Sequence, residues 1–218
     1  MTATTINADE LQAKLRGLDK IDDPYLGAGS AARFEAESKL WPSERYSRIA
    51  LVSTASGDGR TVEEYLFFPA DGHRPVLPVA IVFDGNEARI YSDHHLVEHR
   101  APILPVSEKA YELGHSGEFF SGYFHHLASA DLEGVMSDLE YDGYLQHSDG
   151  DRFRADRLRE DFLKMFKANG GNIRIKYANF FDDGRMRIME VYMPSGRPAV
   201  ACYERGETGR LAAIRLYL

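Results

Sequence analysis

The chain has 218 residues, enough for one large domain or two small ones and for a substantial core. Hydrophobic residues make up 44% of it, the ordinary globular share, which excludes general disorder. It carries 26 basic against 34 acidic residues, a net charge of -8, with no Lys/Arg cluster, so no nucleic-acid partner is expected. The single cysteine, Cys202, removes a disulfide framework and a zinc site built on several thiolates. The first thirty residues hold no apolar signal-like core, and no run approaches the roughly 20 apolar residues that span a bilayer. A soluble, cytoplasmic protein with no membrane partner is expected.

Asn7–Ile21 reads as an amphipathic helix, with Leu11, Leu15, Leu18 and Ile21 at helical spacing. Pro24 and Gly27 break it, and Ser30–Leu40 reads as a second helix anchored by Phe34. From Tyr46 the period shifts toward two. Arg48–Thr54, Thr61–Phe68, Val76–Phe83 and Ala88–Ser92 read as four strands joined by turn-rich Gly-Asp, Pro-Ala-Asp-Gly and Asp-Gly-Asn segments. Asp93–Lys109, with Pro102 and Pro105, shows no period and reads as a connector.

Helices then resume. Glu118–Ala128 places Phe120, Phe124 and Leu127 on one stripe, and Asp131–Leu139 repeats Leu132, Val135, Met136 and Leu139 behind an acidic start. Tyr141–His147 reads as a strand. Arg157–Ala168 is a helix through Leu158, Phe162, Met165 and Phe166, ended by Gly170–Gly171. Ile173–Phe180, Met186–Met193, Ala199–Glu204 and Leu211–Tyr217 close the chain as strands.

The two halves echo one another. The segment GHRPVLPVAIVFDG (72–85) is followed by Arg-Ile-Tyr at 89–91, and SGRPAVACYERG (195–206) is followed by Arg-Leu-Tyr at 215–217. Both copies set Arg-Pro before an apolar strand, then a glycine turn, then a strand ending in Arg-x-Tyr. Duplication accounts for the match.

From about 113 to 217 the order is helix, helix, strand, helix, then three or four antiparallel strands. With the phrase ASADLEGVMSDLEYDGYLQHSDG and the closing ACYERGETGRLAAIRLY, this half resembles the ketosteroid-isomerase-like, nuclear transport factor 2-like superfamily, including its SnoaL-like branch. The first half resembles the same fold in reduced form. The resemblance implies an α+β architecture of two tandem cone-like units, each a curved antiparallel sheet wrapped around helices. The expected division is 1–106 for the reduced unit and 107–218 for the complete one with the main pocket. It also implies a deep apolar cavity, served in the steroid isomerases by a carboxylate base, a tyrosine and a protonated aspartate.

Carried over residue by residue, the resemblance puts Tyr123, eight residues before Asp131, at the oxyanion tyrosine. It puts His147 at the catalytic base. Ala201 falls at the second oxyanion donor, with Tyr203 reachable if the register slips by two. A neutral imidazole is available near neutral pH without a large burial shift, and a phenol on a cavity wall can donate to a developing oxyanion. Phe119, Tyr123 and His126 share a helical stripe, so Phe119 and His126 are expected beside the substrate. Glu190, sharing a strand face with Ile188 and Tyr192, is expected to look into the cavity as an acid, a base or a binding group.

His94, His95 and His99 follow Asp93, with His95 and His99 four apart, but the connector composition and Pro102 favour a lid or packing segment over a metal site. No dinucleotide fingerprint, P-loop or nucleophile elbow is present. Neither a metal nor another cofactor is expected. Cys202 is expected in the core, and His73 and Tyr65 have no family position to give them a role.

The resulting expectation is a cofactor-independent acid/base enzyme acting on a small apolar molecule, polyketide-, aromatic- or terpenoid-like. Lyase chemistry (dehydration or another elimination) or cyclisation is favoured over isomerisation, because the second oxyanion acid is missing. The alternative is a non-catalytic ligand-binding or dimerisation module of the same fold. The resemblance also implies a homodimer or larger homo-oligomer paired through the open sheet face.

Overall fold

The computed structural model describes residues 4–22, 46–72, 76–92, 118–173, 175–193 and 198–218. The first helix, α1 (Ala8–Arg16), is capped by the Asn7 side chain, which accepts the Asp9 N–H at 3.0 Å. Asp9 and Glu10 sit in its first turn and Lys14 and Arg16 in its last, as the helix dipole favours. It stops earlier than the leucine spacing predicts. Gly17 is its C-cap, and the chain turns into a short strand, β2 (Lys20–Asp22), so Ile21 is buried as a strand residue. The helix expected at 30–40 lies outside the described residues.

The other strands of the first sheet are β1 (Thr4–Ile6), β3 (Tyr46–Gly57), β4 (Arg60–Pro69), β5 (Leu77–Asp84) and β6 (Glu87–Ser92). Their order is β1-β3-β4-β5-β6-β2. Asp58 and Gly59 both take positive φ, 52° and 75°, in the two-residue turn that joins β3 to β4. That twist matches the right-handed twist of the flanking strands, so glycine is favoured there.

The second half opens with α2 (Glu118–Ser129) and α3 (Leu132–Ser137), followed by β7 (Leu139–Gln146), β8 (Arg152–Arg154) and α4 (Ala155–Ala168). It closes with β9 (Lys176–Asp182), β10 (Met186–Tyr192), β11 (Pro198–Arg205) and β12 (Leu211–Tyr217). The sheet order is β8-β7-β12-β11-β10-β9. The architecture is α+β in two units. The sheets are mixed rather than purely antiparallel, because β2 runs parallel to β6 and β7 parallel to β12. The expected boundary at 106/107 lies outside the described residues, between β6 and α2. Among the described residues no helix is long and apolar enough to cross a membrane.

The echo in the sequence is an equivalence of register. In the first sheet Glu64 of β4 lies opposite Ala80 of β5, and Ala80 opposite Tyr91 of β6. In the second, Glu190 of β10 lies opposite Val200 of β11, and Val200 opposite Tyr217 of β12. Two residues before each tyrosine stands an arginine, Arg89 or Arg215, in the row Val62–Val82–Arg89 or Ile188–Cys202–Arg215.

Strand alternation then sorts the side chains into three apolar clusters. Leu11, Leu15, Phe67, Val79, Ile81 and Ile90 face the first unit's helix side. Leu127, Leu145, Phe162, Met189, Ala201 and Ile214 face the second unit's helices. The opposite faces meet each other: Ala55, Val62, Ala80 and Val82 of one sheet pack with Phe181, Met186, Ile188, Val200 and Cys202 of the other. The sheet face expected to pair two copies is packed against the other sheet within one chain.

Among the described residues, four charged side chains are buried in this sheet-to-sheet layer, and they are paired reciprocally. Arg89 donates to Glu190 through Nε at 2.5 Å and Nη2 at 2.9 Å, and Tyr91 donates to the same carboxylate at 2.5 Å. Arg215 donates to Glu64 through Nε at 2.7 Å and Nη2 at 2.9 Å, and Tyr217 donates at 2.6 Å. Each arginine also holds a carboxylate of its own sheet, Arg89 to Asp84 at 3.3 Å and Arg215 to Glu204 at 2.6 Å. Burial alone would raise the Glu64 carboxyl, but the Arg215 guanidinium and the hydrogen bonds around it hold it below the usual glutamate value.

A buried carboxylate stripped of its partner is left uncompensated, at a cost of about 3–5 kcal/mol. Arg89→Ala and Arg215→Ala should each lower unfolding free energy by that order in urea titrations. The joint replacement of Arg89 by Met and Glu190 by Leu should cost far less. Glu64 also sets a pH dependence. Its folded value lies below the ordinary 4.5, so its contribution is fully present above about pH 4.5 and is lost as the pH falls through the folded value. Glu64→Gln should flatten the acid limb of a stability–pH profile.

Candidate functional site

The second unit encloses a chamber of about 60 Å³ between α2, α4 and the inner face of its sheet. Tyr123 and Leu127 reach it from α2, Phe162 and Met165 from α4, and Leu145, Val191, Ala201, Tyr203, Ile214 and Leu216 from the strands. The edge of the Tyr123 ring meets Phe124 at 5.5 Å and Tyr203 at 5.9 Å between centroids. Burial pushes both phenols, Tyr123 and Tyr203, above the ordinary tyrosine value, with neighbouring Tyr203 and Asp138 adding to the effect at Tyr123. Both stay protonated at neutral pH, so each acts through its hydroxyl as a hydrogen-bond donor or acceptor and not as a base. Among the described residues the Tyr123 hydroxyl has no hydrogen-bond partner.

Tyr123, Ala201 and Tyr203 thus share the chamber, but His147, His126 and Glu190 are elsewhere. His147 lies two residues beyond Leu145, which does line the chamber, yet His147 itself does not. Its Nε2 is 3.0 Å from Asp161 Oδ2 on α4, and its ring packs edge-on against Phe153 at 4.8 Å. The imidazole, about one-third exposed, ties the turn after β7 to the helix.

His126 shares the Tyr123 stripe but turns to Asp138, the C-cap of α3, at 2.8 Å. Asp131, which caps α3 by accepting the Gly134 N–H, lies 3.9 Å from its other ring nitrogen. A Cβ on Gly134 would stand 2.5 Å from both the His126 ring and Asp131, so any larger residue here must displace one of them.

Glu190 is not in the chamber. It occupies the opposite face of β10, against Arg89, Tyr91 and Asn179, because alternation sends Met189 and Val191 inward instead. The Phe119 side chain and His73, His94, His95 and His99 lie outside the described residues. Tyr65 packs in the first unit's core and donates to Glu63. Cys202 is buried between the sheets, where burial and nearby Glu64 push its thiol well above the ordinary value, leaving it unreactive. Met165, expected as a helix core residue, Tyr192, expected on one face with Glu190, and Met193 also line the chamber, since a core position and a cavity wall have the same periodicity.

No family model matches the sequence, and comparison with curated proteins returns no match. Among solved structures, the chain is similar to SnoaL-like and NTF2-like proteins that each span less than half of it. One is a SnoaL-like protein of unknown function from Burkholderia thailandensis, 11% identical, covering 46% of this chain and 92% of its own, with a TM-score of 0.41. Another is an NTF2-like protein of unknown function from Cytophaga hutchinsonii, 15% identical, covering 46% and 86%, at 0.38. A third, from Burkholderia xenovorans and also NTF2-like and of unknown function, is 18% identical and covers 46% and 79%, at 0.36. At such identities the likeness concerns fold and carries no activity to this chain.

The local geometry makes two opposite expectations. Tyr123→Phe removes a hydroxyl with no described protein partner, so thermal unfolding should change by no more than about 0.5 kcal/mol. Gly134→Ala forces His126 and Asp131 apart and should cost about 1–3 kcal/mol.

Proposed function

We propose that this protein is a single-chain, two-unit binding module whose second unit holds a small apolar molecule, its carbonyl or ether oxygen directed at the Tyr123 hydroxyl. The observation that carries this reading is the lining itself. None of the fourteen described residues around the chamber is Asp, Glu, His, Lys, Arg or Cys. Proton abstraction from carbon needs a base within hydrogen-bond reach of the reacting atom. The two groups that could supply one are committed elsewhere, His147 to Asp161 and Glu190 to Arg89. The lyase or cyclase chemistry implied by the family resemblance would require His147 to leave Asp161 and enter the chamber.

Size limits the guest and requires the wall to yield. The chamber's 60 Å³ is less than half of the roughly 150 Å³ that admits benzene in an engineered apolar cavity. Met165 and Met193 on its wall are the side chains best able to yield space to a guest. A hydrogen bond from Tyr123 would orient that guest and contribute about 1 kcal/mol.

Cyclohexanone, apolar with one acceptor oxygen, is a suitable probe. In NMR titrations the Met165, Met193 and Leu216 methyl signals should shift saturably. Tyr123→Phe should weaken binding about fivefold, and Ala201→Leu should abolish it by filling the chamber. Deuterium exchange into the ketone's α-carbon that is lost in His147→Ala would overturn the binding reading in favour of an acid/base enzyme. An absence of saturable shifts would remove the ligand.

A further inference from the structure

A second and larger cavity, of about 390 Å³, opens where β3 and β4 of the first sheet lie over β7, β8 and β12 of the second. Its wall is mixed. Val52, Leu66, Ala212 and Ala213 are its apolar lining, and Ser53, Tyr144, Gln146, Arg152, Glu204, Arg215 and Tyr217 its polar lining. Two of the apolar residues are there because strand pairing slips. Val52 is an extra residue between the Leu51↔Tyr65 and Ser53↔Glu64 pairs, and Ala212 is extra between Ala213↔Glu204 and Leu211↔Arg205. Bulges of this kind re-aim side chains and recur beside functional sites.

The duplication explains why space is left on this side. Asn179 lies opposite Glu190 and reaches it at 3.0 Å, filling the layer around that carboxylate. The residue at the same register opposite Glu64 is Ser53, shorter and bonded to Met186 Sδ at 3.2 Å. The cavity opens beside the smaller residue.

Its polar groups differ in commitment. Arg215 is saturated by Glu64 and Glu204, and Glu204 is held by Arg185 as well as Arg215. Arg152 is not saturated. Its Nε donates to Gln146 Oε1 at 3.1 Å and its guanidinium lies 4.9 Å from the Tyr144 ring centroid, while among the described residues its two Nη groups have no partner. Gln146 is 2% exposed, and its amide nitrogen has no described partner either. The buried Gln146 amide and the exposed Arg152 fork present donors to a cavity that Val52, Leu66, Ala212 and Ala213 also line.

We propose that this inter-unit cleft binds an aromatic carboxylate. The carboxylate takes the Arg152 Nη groups and the Gln146 amide, and the ring lies against Val52, Leu66, Ala212 and Ala213. Paired guanidinium and amide donors suit a planar carboxylate, and charge-assisted bonds of this type are the stronger ones. The site is separate from the second unit's chamber, so it stands or falls independently of the function proposed above.

The test is calorimetric titration of the full chain with benzoate, using benzyl alcohol as the uncharged analogue and acetate as the carboxylate without a ring. Wild type should bind benzoate saturably and both analogues at least tenfold more weakly. Arg152→Gln should weaken benzoate at least tenfold, Arg152→Lys should restore part of the loss, and Ala213→Phe should block binding. Ala201→Leu, in the other cavity, should leave benzoate affinity unchanged. Failure of wild type to bind benzoate, or equal affinity in wild type, Arg152→Gln and Ala213→Phe, would overturn the assignment.

Discussion

Two glutamates, each buried between the sheets and each claimed by an Arg-x-Tyr strand from the other half of the chain, are the constraint on which the rest of the structure depends. A carboxylate in this apolar layer is tolerable only with charge and hydrogen bonds around it. Glu64 finds them on β12 and Glu190 on β6, 151–153 and 99–101 residues away along the chain. The charged partner of each glutamate comes from the other sheet. Each needs the other, in one relative orientation.

That requirement decides what the remaining faces do. With the outer faces turned to each other, the inner faces must be covered by helices, and the second unit's chamber lies between its sheet and α2 and α4. The same geometry leaves the larger cleft at the rim of the layer, beside Ser53, where the two halves have diverged. A duplicated interface is close-packed wherever the copies still match and opens where they do not. Specificity of pairing is the use best attested for buried polar groups of this kind.

Much of this architecture was legible in the sequence. Period-two runs located most of the longer strands, and the repeat of Arg-Pro, apolar strand, glycine turn and Arg-x-Tyr pointed to two equivalent units. What the repeat could not convey was the crossing of partners. Alternation separates the two faces of a strand but does not say which face meets helices and which meets another sheet. The sequence therefore allows Glu190 a place in the cavity, although Ile188, on its own face, belongs to the layer between the sheets. His147 was misplaced differently. A family position specifies a backbone location, whereas Asp161 on α4 determines where the imidazole goes. The short strands β1, β2 and β8, three residues each, are below the length at which alternation can be recognised.

The reciprocal pairing is tested most directly by double-mutant cycles in urea denaturation on Glu64 and Arg215, on Glu190 and Arg89, and on the mismatched pair Glu64 and Arg89. The account predicts coupling of at least about 1.5 kcal/mol within each of the first two pairs and additivity, within about 0.5 kcal/mol, for the third. Additive behaviour in the first two cycles, or coupling as strong between Glu64 and Arg89, would contradict it.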